Sequence, residues 1–232
     1  KSLNKRICIV RYKDNDELTK SISAQCNARL IWGGDKTINA IRKIDLNPRA
    51  LELTFSDRYS LCVIDTKNLN NKDECSRLVE KFYNDTFVVD QNACSSPQLI
   101  LWHGNKNKKI QEKFWILLAE LVSKKYSPPE TSVIEKYNQL CANIISLKNI
   151  NSYKIYKNLV YTIALNSLGK DTSKLRGKWG YFYEFNIKNL EELKKTVNTK
   201  FQTLSYYGLS KDHMENFFRN SNLEGIDRVV PI

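Results

Sequence analysis

The chain has 232 residues, enough for one large domain or two modest ones, and with 41% hydrophobic and 27% charged residues its composition is ordinary for a globular protein. No apolar run approaches the roughly 20 residues that a membrane-spanning helix requires, which excludes such a helix. The net charge of +12 favours anionic partners such as nucleic acid, a nucleotide cofactor or coenzyme A, although a solvated lysine-rich surface explains it equally well. The basic residues are spread along the chain, which disfavours nucleic acid.

Six cysteines are scattered through the sequence: Cys8, Cys26, Cys62, Cys75, Cys94 and Cys141. No two of them lie two or three residues apart, as in zinc knuckles and redox pairs, and only His103 and His213 could add ligands. We therefore predict no metal site. Nothing indicates secretion, so we expect reduced cysteines in a cytoplasmic protein, most of them packed as small hydrophobic residues of the core.

The first third of the chain alternates between strand-like and helix-like segments. The pattern predicts a buried strand at 7–10, a helix at 16–25, a strand at 28–32, a helix at 37–44 capped by Asp35, and a strand at 51–55. This order is typical of a parallel sheet with crossover helices.

The rest of the chain continues in the same style. The pattern predicts strands at 60–65, 97–102, 179–185 and 202–207, and helices at 70–83, 110–125, 133–145, 190–197 and 213–220. A loop carrying Cys94 separates the helix at 70–83 from the strand at 97–102.

Four segments, in this order, resemble the LuxC branch of the aldehyde dehydrogenase superfamily. They are IWGGDKT at 31–37, LEL at 51–53 with the strand at 60–65, DQNACSSPQ at 90–98, and GIDRVVP at 225–231. The last two are the most specific, because LuxC-type reductases carry very similar strings around the nucleophile and near the C-terminus. The resemblance implies an α/β fold with a parallel-sheet catalytic domain and the later part of a Rossmann-type cofactor domain.

The resemblance also implies a domain organisation. Residues 1–55 would be the later part of the NADP-binding domain, 56–224 the catalytic domain, and 225–232 a C-terminal return segment. Enzymes of this kind also have an N-terminal region, which holds the opening strands of the cofactor domain. No counterpart of it precedes Lys1, so we expect the chain to correspond to the C-terminal part of such an enzyme.

Cys94 is the predicted nucleophile, since a thiolate is suited to attack on a thioester carbonyl. Its neighbours Ala93, Ser95 and Ser96 are small and leave the approach open, and adjacent backbone N–H groups could stabilise an oxyanion. The alternative is a buried structural cysteine. A dyad of Cys94 with His103 is a further hypothesis, but a structural role for His103 is favoured.

Glu52 aligns with the glutamate that aldehyde-oxidising relatives use as general base, and it is a candidate base here. Those relatives have two glycines after the glutamate, whereas Thr54, Phe55 and Ser56 follow Leu53. An ion pair at the strand end is an equally good interpretation of Glu52.

Gly33, Gly34 and Thr37 lie at a strand-to-helix turn and are the predicted cofactor-binding residues. Glycine there would let the backbone approach a ligand, and a helix N-terminus favours anions. In the wider superfamily this turn lies against the cofactor's pyrophosphate and nicotinamide. A plain tight turn is the alternative.

The resemblance implies NADPH-dependent reduction of fatty acyl-CoA to long-chain aldehyde through an acyl-Cys94 thioester. An acyl-protein donor is the other candidate substrate, and a homo-oligomer is expected. In light-emitting bacteria such enzymes work with an acyl-transferase and an acyl-protein synthetase. The alternatives are an aldehyde-oxidising dehydrogenase, a basic module that binds nucleic acid, and a non-catalytic scaffold. No partner nucleic acid and no membrane span are predicted.

Overall fold

The computed structural model describes residues 6–13, 16–67, 69–169 and 172–232. They form two compact units, Lys1–Asp57 and Arg58–Ile232. No helix of the described residues is long and apolar enough to cross a membrane.

The first unit contains two parallel strands and two helices. Helix α1 spans Asp16–Gln25, strand β1 Ala28–Gly33, helix α2 Asp35–Arg42 and strand β2 Leu51–Ser56. The two strands pair in parallel register from Ala28 opposite Leu51, as the alternating pattern predicts. A crossover through α2 therefore connects them, which confirms the predicted parallel arrangement.

The predicted buried strand at 7–10 is wrong. This segment is irregular and exposed, with Ile9 at 93% exposure. Among the described residues, no strand of the first unit pairs with it, and an apolar run without a ladder partner cannot be buried as a strand.

The predicted cap of α2 is also wrong by one residue. Gly34 occupies the N-cap in an extended conformation, and Asp35 lies within the first turn of the helix. A carboxylate is favourable at either position because the first N–H groups of a helix carry partial positive charge.

The second unit is a seven-stranded sheet covered by helices on both faces. Its elements are β3 (Tyr59–Asp65), α3 (Lys72–Thr86), β4 (Pro97–His103), α4 (Lys108–Lys125), α5 (Glu130–Ser146), β5 (Ile150–Tyr156), β6 (Val160–Leu165), β7 (Tyr181–Ile187), a 3-10 helix (Leu190–Lys195), β8 (Phe201–Tyr207), α6 (Lys211–Ser221) and β9 (Arg228–Pro231). The strand order is β5-β6-β7-β4-β3-β8-β9, and every pair is parallel except β5 with β6.

Two apolar cores lie on opposite faces of this sheet. One packs the sheet against α3 and α4 and includes Phe82, Phe114 and Trp102. The other packs it against α5 and α6 and includes Leu140 and Met214. The buried parallel strands confirm the predicted α/β class, and the predicted helices and strands of this unit lie within three residues of those observed, except that 190–197 forms a 3-10 helix.

The sequence pattern missed the hairpin formed by β5 and β6. Leu159 N donates to Tyr156 O across Lys157 and Asn158, which both have positive φ, so the connection is a type I′ turn. The Lys-Asn pair lacks the glycine that usually marks this turn. Most of β5 is exposed at the edge of the sheet, so its apolar alternation is weak.

The cysteines are less buried than predicted. All six are free, but only Cys62 and Cys75 are buried, while Cys8 and Cys94 are exposed. The two buried thiols lie on β3 and on the inner face of α3, where the strand and helix periodicities place them in the core.

Lys136 is a buried ammonium group that supports the hairpin turn. It is 1% exposed, and its Nζ donates to the carbonyl oxygens of Asn158 and Leu159, at 2.9 Å each. It also lies over the Tyr161 ring, 5.0 Å from the centroid. Burial lowers the pKa of Lys136 to about 8.

This lowered pKa predicts a pH-dependent stability. Between about pH 8 and the ordinary lysine value of 10.5, the folded chain releases a proton that the unfolded chain keeps, so the free energy of unfolding rises with pH. Urea unfolding at pH 7.5 and 9.5 measures this: over that interval the free energy of unfolding of the wild type should rise relative to that of Lys136→Met, in which every other titrating group is the same. The exposed Lys148→Met is the control and should change with pH as the wild type does; an equal change in the wild type and in Lys136→Met would contradict the assignment.

Candidate active site

Cys94 lies in a turn-rich segment, residues 87–96, between α3 and β4, as predicted. Its side chain is exposed, whereas Ser96 and Gln91 of the same segment are fully buried. The Ser96 hydroxyl donates to Asp85 O at 2.7 Å, and its backbone N–H donates to Ala93 O at 2.9 Å. The segment is therefore a fixed turn that presents one thiol at the amino end of β4.

Gln91 anchors this segment to two strands. Its Nε2 donates to Pro97 O at 3.2 Å and to Tyr181 O at 3.0 Å, and its Oε1 accepts from the N–H groups of Gly180 and Tyr181 at 3.0 and 3.1 Å. The starts of β4 and β7 are thus joined through one buried amide. Gln91 and Asp90 both have positive φ, an unfavourable conformation that these contacts stabilise.

Gly180 cannot be replaced at its position beside Gln91. Its φ is +85°, and a Cβ there would lie 2.6 Å from Leu159 O and 2.9 Å from the Phe87 ring. The backbone of β7 consequently approaches the Cys94 segment more closely than any other residue would allow.

A polar cavity of about 260 Å³ lies beside the turn that carries Cys94, and both neighbours of Cys94, Ala93 and Ser95, line it. Arg228 of β9 and Asp85 of α3 also line it. Burial raises the pKa of the Asp85 carboxyl, and the nearby positive charge of Arg228 partly opposes that rise. The C-terminal GIDRVVP string thus contributes to the surroundings of Cys94.

Gly225 explains the glycine of that string. Its φ is +106°, and a Cβ would lie 2.0 Å from Asn198 O. Because the chain passes this close to the segment before β8, β9 can pair in parallel with β8 from Arg228 opposite Thr203.

Glu52 belongs to the first unit, where it lies on β2 and is ion-paired. Its Oε2 accepts from Nε of Arg29 at 2.9 Å and from the same guanidinium through Nη2, and its Oε1 lies 3.1 Å from Nε of Arg42. The side chains of Arg29 and Glu52 are only 10% and 21% exposed. Both carboxylate oxygens are thereby engaged by guanidinium groups.

The predicted cofactor turn also belongs to the first unit. A Cβ on Gly33 would lie 3.1 Å from the Thr37 Cβ, a tight contact that the Thr37 side chain would have to relieve, whereas no atom lies within 4 Å of a Cβ on Gly34. The backbone at Gly34 is open to a ligand, and α2 has no side-chain cap.

His103 is at the other end of β4 from Cys94. A seven-residue strand spans about 20 Å, and Cys94 precedes its first residue while His103 is its last. His103 Nδ1 lies 3.1 Å from Oδ2 of the buried Asp65. The dyad hypothesis is therefore wrong, and the favoured structural role of His103 is what the geometry supports. Among the described residues, no group of three His, Cys, Asp or Glu could hold a metal ion.

Sequence reasoning missed the residues that hold the turn, Gln91 and Ser60. Gln91 is part of the DQNACSSPQ motif, but the resemblance to the family assigns no role to it. Ser60 is the second residue of the buried strand β3 and donates to Cys94 O at 2.6 Å. Nothing in the local sequence links Ser60 to residue 94, because the contact depends on the pairing of β3 with β4.

The anchoring by Gln91 predicts a stability effect. Gln91→Met keeps the length of the side chain but leaves two carbonyls and two N–H groups unpaired, so the free energy of unfolding should fall by about 2–4 kcal/mol. Urea unfolding measures this, with the exposed neighbour Asn92→Ala as the control. A loss within about 0.5 kcal/mol of the control would contradict the anchoring role.

Solved structures of aldehyde dehydrogenases share this fold. Aldehyde dehydrogenase 21 from Physcomitrella patens matches with a TM-score of 0.62 at 9% identity, over 94% of this chain and 47% of that one. An NAD-dependent aldehyde dehydrogenase from Sinorhizobium meliloti matches with a TM-score of 0.62 at 11% identity, over 93% and 45%. An NAD-dependent benzaldehyde dehydrogenase from Corynebacterium glutamicum gives 0.58 at 10%, over 94% and 48%. The chain thus spans about half the length of these structures, and the likeness establishes the predicted fold.

The family is established by sequence. No curated protein sequence matches the chain. A model of the family described as acyl-CoA reductase (LuxC) matches residues 1–174, which include the glycine turn, Glu52 and the whole DQNACSSPQ string around Cys94. That match covers most of the 232 residues, and the aldehyde dehydrogenase fold agrees with it. The chain belongs to the LuxC family of acyl-CoA reductases.

Proposed function

We propose that this chain carries the nucleophile of an NADPH-dependent reductase that converts fatty acyl-CoA into long-chain aldehyde through a thioester on Cys94. The observation that carries the proposal is the exposed thiol in a turn that two buried, hydrogen-bonded residues, Gln91 and Ser96, hold on either side. A thiol that needs to meet a bulky thioester has to be accessible, and its surroundings have to be fixed.

In the first step the Cys94 thiolate adds to the acyl carbon of the thioester. A bond forms between Sγ and that carbon, the carbonyl electron pair moves to oxygen, and coenzyme A leaves as its thiolate when the tetrahedral species collapses. The small side chains at Ala93 and Ser95 leave room for the carbonyl, and backbone N–H groups of the turn are the available donors to the developing negative charge.

A bound nicotinamide cofactor would supply the hydride that reduces the acyl carbon. Gly34, with its open backbone, and the exposed Thr37 would hold that cofactor in the first unit. In the second step Cys94 is the leaving group, and it returns to the thiolate as the aldehyde forms. The same residue thereby begins and ends the cycle.

We propose a structural role for Glu52, since an acyl-enzyme that reacts with hydride needs no base to activate water. Its ion pairs with Arg29 and Arg42 support this proposal, because both carboxylate oxygens are already engaged by guanidinium groups. Aldehyde-oxidising relatives have two glycines after this glutamate, and this chain has none there. That difference disfavours an oxidising dehydrogenase.

The nucleophile is tested by intact-protein mass spectrometry after brief exposure to tetradecanoyl-CoA without NADPH, using protein expressed from its complete reading frame. The wild type and Cys8→Ala, which lacks the other exposed thiol, should each gain one acyl group, and Cys94→Ala should gain none. Adding NADPH should remove the group as aldehyde. Acylation of Cys94→Ala at the wild-type level, or no acylation of the wild type, would overturn the proposal.

The role of Glu52 is tested with Glu52→Gln. Loss of its charge should lower the free energy of unfolding by about 1–2 kcal/mol and leave the rate of Cys94 acylation within about threefold of the wild type. Glu17→Gln, which removes an exposed ion pair with Lys20 in the same unit, is the matched control and should cost less than about 0.5 kcal/mol. A loss of acylation of a hundredfold with unchanged stability would show that Glu52 is a base.

A further inference from the structure

Ser60 lies where the strand pairing of the sheet is irregular, beside the turn that carries Cys94. It is 1% exposed on β3, between Tyr59 and Leu61. The register of β3 shifts here against both neighbours: Gln98 of β4 and the pair Gln202 and Thr203 of β8 have no one-to-one partner. Irregular pairing of this kind leaves backbone groups without a ladder partner, and such points are common near active sites.

The Ser60 hydroxyl makes hydrogen bonds to two backbone groups, one on β8 and one in the turn that carries Cys94. It accepts a hydrogen bond from Thr203 N at 3.1 Å and donates one to Cys94 O at 2.6 Å. The direction of both bonds is fixed, because a backbone N–H can only donate and a carbonyl oxygen can only accept. The single hydroxyl proton is therefore committed to the Cys94 carbonyl.

This bond sets the orientation of the peptide between Cys94 and Ser95. The described chain contains no cis peptide, and in a trans peptide the C=O and the N–H point in opposite directions. Because the Cys94 carbonyl points inward to Ser60, the Ser95 N–H points away from the sheet. Both residues are exposed, and within the described part of the chain the Ser95 N–H donates to no protein acceptor.

We infer that Ser60 is a positioning residue for acyl transfer: by holding the Cys94 carbonyl inward, it presents the Ser95 N–H to the oxyanion that forms when the Cys94 thiolate adds to a thioester. This inference depends on the proposed function of Cys94. The Ser95 N–H donates to the oxygen while it carries the negative charge, and Ser60 itself touches neither substrate nor reacting atoms. Without the Ser60 hydroxyl the peptide is free to rotate, and the donor is no longer preorganised.

The test compares two reactions of Cys94 in Ser60→Ala. Acylation by tetradecanoyl-CoA passes through an oxyanion, whereas alkylation by iodoacetamide displaces iodide and forms none. Both rates are followed at Cys94 by peptide mass spectrometry. Acylation should fall at least about tenfold, since removal of an oxyanion donor costs about a hundredfold or more, and alkylation should stay within about threefold.

Ser221→Ala is the matched control. Ser221 is a buried serine at the end of α6, its hydroxyl donates to Phe218 O at 3.2 Å, and it does not line the cavity beside Cys94. It should leave the ratio of acylation to alkylation unchanged. Should Ser60→Ala fail to fold, the isosteric pair Ser60→Thr and Ser60→Val answers the same question, and only the threonine variant should keep the wild-type ratio.

The inference is overturned if acylation and alkylation fall by the same factor in Ser60→Ala, or if the valine and threonine variants have equal ratios. A wild type that is acylated at Cys94 while Ser60→Ala matches it would refute the role of Ser60 alone. A wild type that is alkylated but never acylated would refute the proposed function and this inference with it.

Discussion

The second unit depends on the anchoring of one turn, residues 87–96, by buried polar groups. The segment between α3 and β4 places two consecutive non-glycine residues, Asp90 and Gln91, at positive φ, which is unfavourable. Four hydrogen bonds of the Gln91 amide and the inward bond from Ser60 to the Cys94 carbonyl offset that cost. Because the partners of Gln91 are buried, losing any one of its four hydrogen bonds leaves a polar group without water, so the turn is held in a single conformation.

Two close backbone approaches in the second unit each require a glycine. Gly180 is needed because β7 has to approach Gln91 and Phe87 closely, and Gly225 is needed because the chain after α6 has to pass against Asn198 before β9 joins β8. The turn that carries Cys94 and strand β9 thus meet beside a polar cavity that Ala93, Ser95 and Arg228 line. The acyl transfer that we propose requires an accessible thiol with a fixed backbone, and a buried sheet of parallel strands supplies rigid support for both.

Much of this fold could be predicted from the sequence, because buried strands and amphipathic helices carry strong periodicity. The strands 60–65 and 97–102 and the helix 110–125 are examples, and the Cys94 loop follows from their spacing. The exposed segment 7–10 could not be predicted, because its apolar residues indicate a buried strand although no strand pairs with it among the described residues. The edge hairpin around Lys157 could not be predicted, because β5 is mostly exposed and its residues alternate only weakly between apolar and polar. The roles of Ser60 and Gln91 could not be predicted either, because their hydrogen-bond partners lie as far as 143 and 90 residues away in the chain.

The most direct test of the anchored turn is residue-resolved hydrogen exchange of its backbone amides in the wild type. The N–H of Gln91 donates to Thr86 O at 2.6 Å and that of Ser96 to Ala93 O at 2.9 Å, whereas that of Ser95 has no acceptor among the described residues. The amides of Gln91 and Ser96 should exchange at least about a hundredfold more slowly than in an unstructured peptide, and that of Ser95 should exchange close to the unstructured rate. Equal and fast exchange at all three positions would show that the turn is not held, and would contradict the account.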